Sequence, residues 1–381
     1  MFSSFLIFLR TLIVLLLRRV NCQQVIEKIG IMSFNIRTAS RWAESDGGDL
    51  RFGRSWRDRK SRVAKSIEIS KAEIVGTQEG LAWQLDELVT ILGSNWKRVG
   101  VGRYGDLSDE DEHTAILYDS TNIELIDSTD FWLSNQPQKQ ASIAWGASLP
   151  RIATVAHFRH RNVPEEKIIV INTHLDHASQ SARTHSAKLL RKTAIALQAA
   201  VVMGDFNAPK DEEWFTEMTK DSTLLDAWPL ATIKKTGSAG QSTFHNWYGG
   251  RGATAQWLMP YTSSELVLSG ERHIDAIFVA SNFFNKKHVS IARAGLVTDD
   301  RRRSVYGGPF ASDHYPVVID IQFLLSNTAT TTASIDENHT PTTERSRQRS
   351  YYDTESKSAL ATVAAATFSS IASSQSLVQD L

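Results

Sequence analysis

Residues 201–209 read Val201-Val202-Met203-Gly204-Asp205-Phe206-Asn207-Ala208-Pro209, VVMGDFNAP. Three apolar residues suit a covered strand. Gly204 and Pro209 bracket a turn. Asp205 and Asn207 lie two residues apart, a spacing that puts both side chains on one side of an extended segment. One reading is a turn in which Asp and Asn bond their own backbone. The other is a carboxylate and a carboxamide converging on one spot. The rest of the chain bears on which applies.

Four apolar runs end on polar residues: GIMSFNIR at Asn35, EIVGTQEG at Gln78-Glu79, KIIVINTHLDH at His174, and AAVVMGDFN at Asp205 and Asn207. Two polar clusters precede their runs instead: His273-Ile274-Asp275 before AIFVA, and Ser312-Asp313-His314 before PVVIDI. If the last two strands run antiparallel to the others, all six sites meet at one sheet edge, where loops on a rigid scaffold commonly build sites. Singly, each has a plain structural reading: a solvated Glu, a satisfied His, an Asp opening a turn. Together at one edge they point to chemistry.

The intervening segments alternate. Short β-branched or aromatic stretches predict strands at 28–35, 73–78, 114–118, 152–158, 167–172, 200–204, 274–279 and 316–323. Helices are predicted at 57–70, 80–92, 179–199 and 211–220, with Leu81, Leu85, Leu88 and Leu92 at helical spacing and Ser179 placed to cap the third. Early strands alternate with helices and later strands cluster, which suggests a mixed sheet or two packed sheets with helices outside.

The 381 residues are 41% hydrophobic and 22% charged, an ordinary globular balance. Formal net charge is zero, so no whole-molecule attraction to nucleic acid or anionic membrane is predicted. This leaves room for a local basic patch such as Arg301-Arg302-Arg303. Cys22 is the single cysteine, so no disulfide forms within the chain and the core must hold by packing. Residues 1–23 are largely apolar and read as a targeting segment. Secretion with cleavage near Cys22 is the first expectation. Membrane anchoring or a mitochondrial presequence are the alternatives, because Arg18 and Arg19 follow the apolar run and no acid precedes Glu27. Residues 326–381, rich in Ser and Thr, read as a disordered tail, leaving 24–325 as one catalytic domain.

Glu79 and Asp313 offer hard oxygen ligands and Asn35 a neutral amide oxygen, a set suited to Mg²⁺ or Mn²⁺. Structural zinc is excluded by the lack of Cys ligands and paired His spacing. A dication so held can neutralise a phosphate. Asp275 is available to orient His314 and fix its tautomer.

SFNIR, GTQEG, NTHLDH, GDFNAP, HIDAIFV and SDHYPVV, in that order over about 31–320, resemble the endonuclease/exonuclease/phosphatase superfamily with its deoxyribonuclease I-like fold. FWLS at 131–134 and WGASLPR at 145–151 resemble a subgroup related to the carbon-catabolite-repressor-type deadenylases. The resemblance implies an α+β fold, a four-layer α/β/β/α sandwich of two packed mixed sheets flanked by helices, and metal-dependent phosphoester hydrolysis. By motif, it implies metal ligation by Asn35, Glu79 and Asp313. Asp205 would position or deprotonate the attacking water, and Asn207 would hold a phosphate oxygen. His174 would contact phosphate or act as leaving-group acid, with Glu112 as its acidic partner, and Asp275 would pair with His314. Arg151 and Trp145 are the substrate-binding candidates, with Trp247 and Tyr248 as further rings that stack bases. The implied activity is a nuclease, exoribonuclease-like or endonucleolytic, with RNA or DNA as substrate, acting as a monomer without an obligate protein partner. A phosphatase or phospholipase of inositol phosphates or sphingomyelin-like lipids is the alternative. A binding module without catalysis comes third.

Overall fold

The structure, a computed structural model, describes residues 25–235, 242–247, 273–284, 289–297 and 310–324. The targeting segment, the tail, Tyr248 and Arg301–Arg303 lie outside the described residues. Among the described residues no helix is long and apolar enough to cross a membrane.

Strand β1 (Val25–Asn35) sits centrally in the first sheet, parallel to β2 (Ile74–Gln78) and antiparallel to β15 (Val317–Leu324). The sheet continues through β6 (Ile116–Asp119) to β4 (Trp96–Val99) on one side. On the other it runs through β14 (Val289–Leu296) to β12 (Ile233–Lys235). The second sheet orders β11 (Leu224–Asp226), β13 (Asp275–Ala280), β10 (Val201–Asp205), β9 (Val163–His174), β8 (Ile152–His160) and β7 (Ile123–Trp132). A short ribbon pairs β3 (Gly80–Leu81) with β5 (Glu112–His113).

Residue alternation decides which face each side chain covers. Ile29, Ile31, Ile74 and Ile116 join the core between the sheets, while their neighbours Met32, Phe34, Val75 and Leu117 join the outer core. That outer layer is completed by Trp56, Val63 and Ile67 of helix α1 (Trp56–Ser70) and by Leu85 and Leu88 of α2 (Ala82–Leu92). On the far side, α3 (Gln180–Leu197) contributes Leu190 and Ala194, and α4 (Glu213–Thr219) contributes Trp214 and Met218. The result is the four-layer α/β/β/α sandwich. Ser179 caps α3, its Oγ accepting from Ala182 N at 3.1 Å.

The sheets approach closely at Gly76, where a Cβ would stand 2.6 Å from Asn172 Oδ1 and 2.6 Å from Met203 Cε. Beside it Gln78 Nε2 donates to Asn172 Oδ1 at 2.7 Å, and Asn172 Nδ2 donates to Thr77 O and Ala115 O at 2.8 and 3.0 Å. This buried clamp locks β2 to β9 under the strand ends that carry the polar residues.

Each predicted strand and helix has a counterpart, with ends moved by up to four residues. The expectations did not include β3, which falls inside the predicted helix 80–92, nor β4, β5, β7, β11, β12 and β14. β7, IELIDSTDFW, is an edge strand with only three buried residues and three acids, so its pattern reads as loop.

Candidate active site

Topology does the gathering. β13 runs antiparallel to β10 and β15 antiparallel to β1, so strands that begin with polar residues start where the others end. Asp205 is the register partner of His174 on β9 and of Asp275 on β13. Across the sandwich, Asn35 pairs with Gln78, and Glu79 follows with φ 65°. That left-handed turn folds Glu79 back over the sheet end. His314 lies just before β15 and bridges to Phe244, whose ring is 4.9 Å from the imidazole.

Carboxylate oxygens of Glu79 and Asp205 and a ring nitrogen of His314 lie within 4.8 Å of one another. Asn35 Nδ2 donates to Glu79 Oε1 at 2.8 Å and to Asp205 Oδ2 at 2.9 Å. Thr38 N donates to Glu79 Oε2 at 3.1 Å, and Asn207 N to Asp205 Oδ1 at 2.8 Å. Asp205 Oδ2 faces His174 Nε2 at 3.6 Å and His314 Nε2 at 3.8 Å. Behind His314, Nδ1 meets Asp275 Oδ2 at 2.9 Å, fully buried. Both readings of VVMGDFNAP therefore hold: the Asp205–Asn207 turn bonds its own backbone and also aims Asp205 at the cluster.

Burial pushes Asp205 up, Asp275 adds to the rise, and the group reaches about 7 against the opposing pull of His314. Burial also works to raise Glu79, but Arg37, His174 and the Asn35 hydrogen bond overcome it and hold the carboxyl at about 2. For His314 burial works downward, yet Asp275 and Asp205 outweigh it and raise the ring to about 10. His174 goes the other way, pushed well below its ordinary value by burial and by Arg151. The site thus pairs an imidazolium with a neutral imidazole.

This donor set fits a hard dication. Glu79 and Asp205 supply anionic oxygens from two different sheets. His314, raised to about 10 and tied to Asp275 through Nδ1, is set to donate from Nε2. Asn35 presents its NH₂ group to both acids, and its Oδ1 accepts from Arg37 N at 3.0 Å. As placed, Asn35 orients the two carboxylates, and ligation through its oxygen requires the amide to turn over. Asp313 is set apart from the cluster. Its Oδ1 accepts from Ser312 Oγ at 3.1 Å, and its Oδ2 faces Arg37 Nε at 3.9 Å.

The remaining candidates fall as follows. Asn207 spends its NH₂ group on His174 Nε2 at 2.8 Å and Leu175 O at 3.0 Å, so His174 accepts at Nε2 here rather than offering a proton there. Glu112 lines a small cavity with His174, Arg103 and Arg151, but its ion pair is with Arg103 at 2.9 Å. Burial pushes Glu112 up to about 7. Arg151, 5% exposed, reaches His177 Nδ1 at 2.9 Å and Asp176 Oδ2 at 3.6 Å. Trp145 stacks on His185 of α3, centroids 5.2 Å apart. Trp247, 3% exposed, lies under the Arg54 guanidinium at 5.1 Å.

Two further residues at the site were not among the sequence candidates. Arg37, inside SFNIR, binds Asp49 at 3.1 Å and approaches Glu79 Oε2 at 4.0 Å. Arg59 of α1 is 1% exposed and donates to the carbonyls of Ile36, Arg37, Thr38, Arg54 and Ala311. It ties the loop after Asn35 to the loop before His314. A Trp-x-x-Arg pair at the head of a helix was the available clue.

A search of curated protein sequences finds no match. Solved structures match over most of the chain. An endonuclease/exonuclease/phosphatase family protein from Bacteroides thetaiotaomicron is 27% identical with TM-score 0.63, covering 78% of this chain and 99% of its own. A mannosyl-6-phosphatase from the same organism is 27% identical with TM-score 0.62, covering 77% of this chain and 100% of its own. The human nocturnin catalytic domain, 16% identical with TM-score 0.52 over 79% of this chain and 95% of its own, shares the fold. The model of the Endonuclease/Exonuclease/phosphatase family matches residues 32–314, a span that includes every residue of the cluster, and the chain belongs to that family.

Proposed function

We propose that this protein is a Mg²⁺- or Mn²⁺-dependent phosphoester hydrolase whose substrate is a small phosphomonoester of the sugar-phosphate class. The convergence of Glu79, Asp205 and Asp275-backed His314 within one buried cluster carries the reading. Bound there, a dication supplies positive charge that offsets the build-up on the phosphoryl oxygens. Asp205 Oδ2 accepts from the attacking water and holds it in line with the leaving oxygen. His314 donates from Nε2 to a phosphoryl oxygen, and Asp275 keeps it charged and aligned. Asn35 holds the two carboxylates at their spacing.

Two observations favour a small ester over a polymer. Trp145 and Trp247, the two described rings that the sequence analysis named as base-stacking candidates, are both engaged within the protein. Net charge is zero, which supplies little of the phosphate-tracking field that nucleic-acid binding uses. The 27% identity to a mannosyl-6-phosphatase over nearly its whole length supports the same class. A nuclease of the deadenylase type is the second reading, carried by the FWLS and WGASLPR blocks.

The test is a panel of hexose 6-phosphate, inositol polyphosphate, single-stranded RNA, plasmid DNA and sphingomyelin with Mg²⁺. Phosphate release from the hexose ester with intact nucleic acid is the expected result. Shortened RNA or nicked plasmid with untouched sugar phosphate selects the nuclease reading. No turnover of any member sinks both.

A further inference from the structure

The sequence between β1 and α1 builds a pedestal for one exposed indole. Trp42 opens a short π-helical turn, Trp42–Asp46, and is 62% exposed, while the next residue, Ala43, is fully buried. The turn is pinned from several directions. Gly47 N donates to Trp42 O, Asp49 N to Ala43 O at 3.1 Å, and Leu50 N to Glu44 O at 2.9 Å. Glu44 Oε1 accepts from Trp56 N at 2.8 Å at the head of α1. The backbone that carries the indole is held firmly while the ring itself is left in water.

Its position relative to the cluster is set by Arg37. That guanidinium lies 5.9 Å from the Trp42 ring centroid, and its Nη1 is 4.0 Å from Glu79 Oε2. One side chain therefore separates the indole from a carboxylate of the cluster. The indole thus lies one guanidinium away from the cluster, and an indole face can pack against the apolar C–H face of a sugar ring.

Resting on the phosphoesterase reading above, we propose that Trp42 is the leaving-group subsite: its exposed face stacks on the pyranose ring of a sugar phosphate and sets the preference for cyclic over acyclic esters. The step catalysed is unchanged. Water adds to phosphorus as it gives up a proton toward Asp205, the P–O bond to the sugar breaks, and the sugar oxygen takes a proton from solvent, so that the sugar leaves as the alcohol and the phosphoryl group as inorganic phosphate. What the indole adds is binding of the sugar before and during that step, so its loss is read in KM.

The experiment compares kcat and KM for a hexose 6-phosphate, glycerol 3-phosphate and a nucleoside 5′-monophosphate, with Mg²⁺, in the wild type, Trp42→Ala and Trp42→Phe; the ratio below is that of the first two. The expected result is that Trp42→Ala lowers the ratio of the two kcat/KM values about tenfold, the size of a 1.4 kcal/mol contact, through KM for the hexose ester. Trp42→Phe retains most of the ratio. An unchanged ratio in Trp42→Ala, or an equal loss on both esters, overturns the subsite. A wild type that releases phosphate from neither ester fails earlier, at the phosphoesterase reading, and the subsite falls with it. A wild type that prefers a nucleoside 5′-monophosphate, with that preference lost in Trp42→Ala, replaces the sugar by a base and overturns the class proposed here.

Discussion

Arg59→Met is the substitution whose consequence the structure quantifies best. The guanidinium is buried and lies over the Trp56 ring at 5.1 Å. Burial pushes it down to about 10, with Asp313 and Asp49 pulling the other way, so it remains a cation at neutral pH. Its nitrogens serve five carbonyls on three segments: Ile36, Arg37 and Thr38, then Arg54, then Ala311. Methionine fills much of the same space and donates nothing. Each buried carbonyl stripped of its partner costs about 1–3 kcal/mol, and removing one member of a buried charge network costs about 3–5 kcal/mol in all. These costs overlap, and relaxation of the surface-ward Arg54 carbonyl recovers part, so about 3–5 kcal/mol is expected. That is a large share of the 5–15 kcal/mol that holds a typical domain together. Urea unfolding at pH 7.5, followed by tryptophan fluorescence, should show the midpoint fall with an unchanged m-value. Arg59→Lys should recover less than half, since an ammonium cannot span three segments. A loss below about 1 kcal/mol in Arg59→Met would refute the strut, and with it the idea that α1 fixes the relative placement of the Asn35 and His314 loops.

Three further outcomes follow from the same geometry. Asp205→Ala and His314→Ala should each lower kcat by about 10²–10³ or more while leaving the circular dichroism spectrum native, because in the proposed mechanism each group acts on the reacting atoms; near-normal turnover by either removes its role. Asp176 accepts from Ala178 N, Ser179 N, and Ser148 N and Oγ, and although burial works upward, these bonds hold it at about 2. Its folded-state value lies below the ordinary one, so its contribution of about 1–2 kcal/mol is present above pH 4 and lost between pH 4 and 2; the stability gap between wild type and Asp176→Asn should close over that window. Gly76→Ala forces a methyl into Asn172 and Met203 and should cost about 1–3 kcal/mol, seen as a lower melting temperature.

The strand ends were legible because each carried its polar residue at a fixed place beside an unbroken apolar run. Asn35, Glu79, His174, Asp205, Asp275 and His314 share one edge because two late strands reverse direction, an inference the cluster order alone supports. What the sequence conceals is pairing. Glu112 sits two register steps from the Glu79 turn, yet meets Arg103, a residue in an irregular loop with no pattern to announce it. Asp313 and His314 are chain neighbours, so their side chains diverge, and only the imidazole enters the cluster. Arg59 reads as one of several charges on the exposed face of a helix. Its burial follows from the loops that cover α1, which no periodicity records. Trp145 offered a ring near a basic residue, and the fold supplied His185 for it to stack on.

The central claim is that Glu79 and Asp205 hold a dication against a phosphoester. Titration of Mg²⁺ into chelator-treated wild type and Glu79→Gln, with phosphate release as the signal, tests it most directly. The account predicts no release without Mg²⁺, full recovery on its addition, and at least about a tenfold higher Mg²⁺ requirement in Glu79→Gln. Release that persists in the chelated wild type, or a Mg²⁺ requirement that Glu79→Gln leaves unmoved, would contradict it.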